Sequence, residues 1–146
     1  MSWSNWISKD DSFFSTMIIE DYVTMDIAEG LQKEGFLVQD KIRKAYRKSD
    51  GELVNSDGNF DYDNEVPCPT VQMALQWLFH RYGLFVAVDP DDEGSGGFRN
   101  SLYQEVGSRW EPRGTHSSQV YDTMDKCALD GIRFMLKHII PSWCKK

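Results

Sequence analysis

Long apolar runs are missing from this sequence, and cysteine is scarce in it. The longest strongly apolar run, Leu84 to Val88, has five residues, whereas a membrane-spanning helix needs about 20. The first residues, Met1 to Trp6, lack the basic and then apolar order of a secretory signal peptide. The three cysteines, Cys68, Cys127 and Cys144, are odd in number and far apart, which favours neither a disulfide framework nor a CxxC metal site. We therefore expect no membrane partner and a cytoplasmic location.

The local signatures of common enzymes and cofactor sites are also missing. The sequence contains no Walker loop and no GxGxxG, GxSxG or HExxH motif. Its three histidines have no ligand spacing with one another or with cysteine, so zinc is not indicated. An EF-hand loop starting at Asp57 would need Gly at its sixth position and Glu at its twelfth, where Tyr62 and Cys68 stand. The sequence therefore predicts no metal and no cofactor.

What is present is the composition of one compact domain. The chain has 146 residues, of which 40% are apolar, 27% charged and 13% aromatic. A chain of this length buries roughly two thirds of the surface that its unfolded form exposes, so it needs no disulfide or metal to fold. The aromatic share is too high for a disordered chain, and a globular fold is expected.

The charge of the chain disfavours nucleic acid as a partner. The formal net charge is -7, which repels the phosphate backbone that supplies most nucleic-acid affinity. A local exception is the stretch Lys41 to Lys48, where five positive charges accompany Tyr46, a candidate stacking surface. A solvated strand or helix face is the favoured interpretation of this stretch.

The first half of the chain predicts one helix and a hairpin. A helix is expected over 24–34, with the Thr24 hydroxyl as its cap and Gly35 at its end. The apolar positions of 38–46 fit a helix, yet the turn signal Ser49 to Glu52 before Leu53 and Val54 is typical of a hairpin. The hairpin is favoured, and a second turn signal at 56–59 extends this section to two or three short strands or an ordered loop.

The second half predicts two more helices around a strand pair. Thr70 caps a helix over 71–82 whose apolar stripe ends at Gly83. Antiparallel strands are expected over 84–88 and 98–106, joined by an acidic, glycine-rich loop. A last helix is expected over 118–139, capped by Ser117 or Ser118 and stopped by Pro141.

These elements predict an α+β fold, with a small antiparallel sheet packed by two or three helices. The expected organisation is an irregular aromatic N-terminal arm over 1–21, followed by a single α+β domain over 22–146.

One section of the chain resembles a known group of proteins. The helix start Cys68-Pro69-Thr70, the pair Trp77-Leu78 and the strand after Gly83 are similar to segments of small uncharacterised proteins encoded on bacteriophages and mobile elements of gut bacteria. The similarity extends over about residues 22 to 140. It implies the same fold outline and a phage or mobile-element setting, and it implies no activity.

Three features are candidates for chemistry. Cys68 precedes a helix N-terminus, where the helix dipole lowers a thiol pKa, and His80 is a candidate base for it. The acidic segment 57–65 places oxygen atoms at every second position, as a calcium site could use. Packing of a small helix-start residue explains Cys68 better, and solvated turns explain the acidic segment better.

The aromatic arm is the candidate interaction site. Trp3, Trp6, Phe13 and Phe14 are residue types that are enriched at interface hot spots. The favoured function is therefore a non-enzymatic protein-interaction module that binds a protein partner or self-associates. The alternative is a small hydrolase or ion-dependent enzyme that uses Cys68, His80 or the segment 57–65. The arm can equally cover the core of its own chain.

Overall fold

The computed structural model describes residues 22–36, 41–91, 94, 96–115 and 119–144. The described elements comprise three α-helices, six strands and a π-helix that continues the last α-helix. Their bounds are α1 Met25–Lys33, β1 Lys44–Arg47, β2 Leu53–Asn55, β3 Glu65–Pro67, α2 Val71–Tyr82, β4 Leu84–Pro90, β5 Phe98–Val106, β6 Arg109–Thr115, α3 Met124–Phe134 and the π-helix Met135–Cys144. The α+β fold is confirmed.

The predicted single sheet is in fact two small antiparallel sheets. Their strand orders are β2-β1-β3 and β4-β5-β6. Both pack against one hydrophobic core, which also takes side chains from α1, α2, α3 and the π-helix. The largest fully buried side chains in this core include Ile27, Leu31, Ile42, Leu78, Leu84, Leu102, Ile132, Met135 and Ile140. Among the described residues, no helix has the length and hydropathy to cross a bilayer.

The first sheet confirms the hairpin interpretation where it is described. Strands β1 and β2 pair antiparallel, with Ala45 opposite Val54. The Arg47 N–H donates to the Glu52 carbonyl at 2.8 Å across the connecting turn. Gly51 takes a φ of +71° in that turn, a conformation that favours glycine.

Helix α1 lies where the sequence predicts it, but its first hydrogen bond differs from the expectation. Thr24 has the extended backbone of an N-cap, yet its side chain accepts no capping bond. The hydroxyl donates instead to the carboxylate of Asp26 in the first turn. The predicted capping bond does not form, because the Asp26 carboxylate competes for the Thr24 hydroxyl.

Helix α2 forms as the local sequence predicts. The Thr70 Oγ1 accepts a hydrogen bond from the Met73 N–H at 3.2 Å, and Gly83 ends the helix in the left-handed conformation at a φ of +71°. A side chain at Gly83 would also approach the Glu105 carbonyl of β5, at 3.2 Å from the added Cβ. The helix end is therefore tied to the second sheet.

The second sheet confirms the predicted strand pair and adds a strand. Val86 of β4 lies opposite Leu102 of β5, and β4 extends to Pro90. Strand β6 was not predicted. Its sequence has no clear alternation of apolar and polar residues, which is why the strand was missed. Pro112 fits its position at the edge of the sheet, where a missing N–H is tolerated.

The start of the last helix was predicted wrongly. Helix α3 begins at Met124, and Thr123 caps it by accepting a bond from the Lys126 N–H at 3.3 Å. Ahead of it, Tyr121 exchanges two 2.8 Å backbone hydrogen bonds with Phe98, which hold the chain extended. Val120 precedes this bridge, lies outside the helix and is 40% exposed.

The expected stop at Pro141 was also wrong. The helix changes to a π-helix at Met135 and runs through Pro141 to Cys144. Proline removes one N–H from the hydrogen-bond ladder. The buried side chains Met135, Ile139 and Ile140 pack into the core on this segment, and this packing stabilises it despite the missing bond.

Candidate functional site

The two faces of the sheet β4-β5-β6 have different neighbours. Helix α3 covers one face so closely that a Cβ on Gly131 would lie 3.0 Å from Val86 Cγ1 and 3.3 Å from Leu102 Cδ2. Asn100 is fully buried on the same face and donates from Nδ2 to the Cys127 carbonyl at 3.2 Å. This side of the sheet is core.

The opposite face carries aromatic side chains. Because side chains alternate along a strand, the neighbours of the core residues point away from α3. Phe85 lies opposite Tyr103 in the β4-β5 register, and Trp110 lies opposite Glu105 in the β5-β6 register. We call Phe79, Phe85, Tyr103 and Trp110 the aromatic face.

Trp110 is the centre of the aromatic face. Its ring centroid is 5.3 Å from that of Phe85 on β4, so the indole crosses over the central strand. Trp110 also stacks on Phe79 of helix α2, with the ring centroids 6.0 Å apart and an interplanar angle of 22°. Despite both contacts, Trp110 is 45% exposed. The indole therefore contacts two rings and still keeps nearly half of its surface in contact with water.

The border of the aromatic face is charged. Arg109 pairs with Glu111 at 2.8 Å on β6, and Glu105 is exposed opposite Trp110. The last turn of α2 contributes His80, whose ring centroid is 5.6 Å from that of Phe79, and Arg81. An apolar centre with a charged border is typical of a protein-binding surface.

Cys68 is not placed as a nucleophile. It lies between β3 and α2, fully buried, where its thiol donates to the Val23 carbonyl at 3.4 Å beside a 2.7 Å bond from the Tyr46 hydroxyl. Burial raises the pKa of the Cys68 thiol to about 12. The hypothesis that the helix dipole makes Cys68 a thiolate is wrong, because the loss of hydration on burial raises its pKa by more than the dipole lowers it.

His80 does not meet Cys68. It is exposed in the last turn of α2, whereas Cys68 precedes the first turn. His80 is nine positions after Val71, which is about 14 Å along the helix axis. The structure therefore does not assemble the pair that an acyl-transfer mechanism would need.

The acidic segment uses its oxygen atoms within its own turns. Asp57 accepts from the Asn59 N–H at 2.9 Å, and Asp61 accepts from the Asp63 N–H at 3.2 Å and from Asn64 Nδ2 at 2.7 Å. In the part of the chain that the structure describes, no group of three or more His, Cys, Asp or Glu residues is placed to hold a metal ion.

The basic stretch contributes to the hairpin. Lys44 Nζ donates to Asn55 Oδ1 at 2.5 Å, Arg47 pairs with Asp50 at 2.9 Å, and Lys48 Nζ donates to the Tyr62 carbonyl at 2.9 Å. These contacts link β1 to the turns on either side of it.

A polar network joins the start of α1 to α3. Arg133 Nε pairs with Asp26 at 2.7 Å, its Nη1 pairs with Asp130 at 3.4 Å, and the Tyr121 hydroxyl donates to Asp130. The hydrogen bond from Arg133 lowers the pKa of Asp26 to about 2, while burial and the bond to Asp130 raise the pKa of Tyr121. Because these groups bind one another, the network is a structural tie.

The candidate arm residues Trp3, Trp6, Phe13 and Phe14 lie outside the described residues. Sequence reasoning missed the aromatic face instead. The turn Val106-Gly107-Ser108-Arg109 between two strands is a hairpin signal that would have placed Trp110 on the sheet. No local signal shows which side of the strand α3 covers.

No family model matches the chain. Comparisons with curated proteins and with solved structures also give no match.

Proposed function

We propose that this chain is a non-enzymatic protein-interaction module that binds a protein partner through the aromatic face. The observation that carries the proposal is Trp110, which is 45% exposed while Phe79 and Phe85 hold its ring. The partner covers this ring with an apolar surface of its own and meets the charged border with polar groups.

A partner that covers Trp110 gains free energy from burying apolar surface and loses little from ordering the side chain. Burying apolar surface stabilises a complex by about 25 cal/mol per Å², and tryptophan is enriched among the residues that dominate binding energy. An indole that is already held by two rings loses little side-chain entropy when a partner covers it. Trp110 therefore has the properties of an interface anchor.

The alternative, a small hydrolase or ion-dependent enzyme, has less support. A nucleophile needs an accessible thiolate and a nearby base. Cys68 is buried with a pKa raised to about 12, and His80 lies at the other end of α2. The oxygen atoms of 57–65 bind backbone and side-chain donors of the same turns.

The setting that we propose is the cytoplasm, as an accessory protein of a phage or mobile element. The resemblance of the Cys68 to Val88 section supports this setting. Nucleic acid is disfavoured by the net charge of -7 and by the hairpin contacts that occupy Lys44, Arg47 and Lys48.

Affinity capture with matched variants tests the proposal. The immobilised full chain, Trp110→Ala and Trp143→Ala are each incubated with host lysate, and the retained proteins are quantified by mass spectrometry. Trp143 is the control because it is 52% exposed but lies against Arg113 on the π-helix side of the sheet, at 4.2 Å from the guanidinium to the ring centroid.

The expected result is a protein retained by the wild type and by Trp143→Ala and lost with Trp110→Ala. Equal retention by all three variants contradicts binding at the aromatic face. Light scattering of the same variants identifies self-association, which Trp110→Ala should then abolish. A measured turnover that disappears in Cys68→Ala or His80→Ala would overturn the non-enzymatic assignment.

A further inference from the structure

The described chain begins at the N-terminal end of α2, the helix that carries Phe79 of the aromatic face near its other end. Tyr22 bridges to Thr70 at the start of α2, and the Val23 N–H donates to the Pro69 carbonyl at 3.2 Å. These contacts fix the point from which residues 1–21 extend. Helix α2 then runs from Thr70 to Phe79, one of the rings that hold Trp110.

Residues 1–21 are long enough to reach Trp110. Phe79 lies nine residues beyond Thr70 and on the opposite side of the helix, so a path over the surface of α2 is about 20 Å long. Tyr22 is eight positions after Phe14, and this length of chain spans up to about 27 Å when extended. Phe13 and Phe14 are therefore within reach, and so are residues further from Tyr22.

The composition of residues 1–21 matches the aromatic face and its border. This segment contains the four large aromatic side chains Trp3, Trp6, Phe13 and Phe14, together with three isoleucines. It also has four acidic residues against one lysine, and the last turn of α2 beside Phe79 carries His80 and Arg81. Aromatic contact favours docking of this segment on this face. Its acidic residues complement the charge of Arg81 at the α2 side of the border, whereas Glu105 stands on the β5 side.

We propose that residues 1–21 bind the aromatic face of their own chain and cover Trp110. A protein partner then has to displace this segment, so the intramolecular contact lowers the affinity for the partner. The docking itself is independent of the proposed function, whereas the regulation rests on it. Linkage to the chain gives the segment a high effective concentration at the face.

Fluorine NMR of the full chain labelled with 5-fluorotryptophan tests the docking without any partner. The five tryptophan resonances are assigned with single Trp→Phe variants. A full-length variant with Phe13→Ser and Phe14→Ser, and a second that adds Trp3→Ser and Trp6→Ser, are compared with the wild type. Trp77, which packs between Phe36 and Tyr82, is the reference for an intact core.

In the serine variants we expect the Trp110 resonance to move and its solvent isotope shift between H2O and D2O to rise, while the Trp77 resonance stays in place. A synthetic peptide of residues 1–21, added to the four-serine variant, should restore the wild-type position. In the reverse direction, Trp110→Ala should move the Trp3 and Trp6 resonances, and Trp143→Ala should leave them unchanged.

Two results would overturn the proposal. A Trp110 resonance that is the same in the wild type and both serine variants would show that the segment does not cover the face. A wild-type Trp110 resonance that moves on dilution would show that the segment comes from a second copy. Because no partner is present, a failed capture experiment leaves this test valid, and failure of docking leaves partner binding testable.

Discussion

The two faces of the sheet β4-β5-β6 differ in what covers them. On the face toward α3, Val86 and Leu102 are buried, and Gly131 lets the helix backbone approach. On the other face, Phe85 and Tyr103 are half-buried and Trp110 is exposed.

The comparison shows that apolar character does not by itself distinguish core from surface. Both faces carry large apolar side chains, and the face away from α3 carries the aromatic residues Phe85, Tyr103 and Trp110. The core face is defined by its covering helix. Exposed aromatic rings on a sheet are the kind of surface at which proteins make contacts, and this is the basis of both proposals above.

The largest expected effect is a cavity on the covered face. Leu102→Ala should lower the free energy of unfolding by about 2–5 kcal/mol, because the buried methyl groups leave a space that α3 cannot fill. Urea denaturation monitored by circular dichroism measures the change. Val106→Ala on the same strand is the control, since Val106 is 43% exposed and should change stability by about 0.5 kcal/mol or less. Equal effects would show that Leu102 is not packed beneath α3.

The close approach of α3 is tested by adding a methyl group. Gly131→Ala should destabilise the fold by about 1–3 kcal/mol, because the new Cβ meets the stiff, β-branched Val86 at 3.0 Å. Gly30→Ala is a matched helical control, since its Cβ meets only the end of the Leu136 side chain. Thermal unfolding of both variants checks the difference, and a stabilised Gly131→Ala would place α3 further from the sheet.

A smaller effect is expected from the tie between α1 and α3. The hydrogen bond from Arg133 lowers the pKa of Asp26 from 3.8 to about 2. The pair therefore stabilises the fold fully at a pH above the pKa of Asp26 in the unfolded chain. This stabilisation is lost as the pH falls through the lower pKa of Asp26 in the folded protein. The free energy of unfolding should therefore decrease from about pH 5 to pH 2. Urea titrations should show a shallower decrease for Asp26→Asn, whereas parallel curves would exclude a contribution from this pair.

The smallest effect is on thiol reactivity and needs no change in stability. Burial raises the pKa of Cys68 and Cys127 to about 12. Cys127 is on α3, the helix that covers the sheet. Cys144 is half-buried at the end of the π-helix. Ellman's reagent should modify one thiol quickly in the native protein and all three in urea. Cys144→Ser should remove the fast phase, and a fast phase that survives would show that a buried cysteine is accessible.

Helix α2 shows how much of the fold is predictable from sequence. Its cap at Thr70, its apolar stripe and its end at Gly83 are all local features, and the structure has each of them. The antiparallel pair β4-β5 follows from short apolar strands that flank one loop. The start of α3 shows the limit, since Ser117, Ser118 and Thr123 are all suitable caps. The bridge between Tyr121 and Phe98 decides among them.

By itself, the sequence determined features that depend on neighbouring residues: the cap and end of α2, the turn at Gly51, the pair β4-β5 and the α+β class. Only the tertiary structure decided that α3 covers one face of the second sheet, that Trp110 crosses to Phe85, and that Arg133 reaches Asp26. Local hydrogen bonds and backbone preferences act within a few residues of the chain. Packing joins residues that are far apart in sequence, and no local pattern records which face another element will cover.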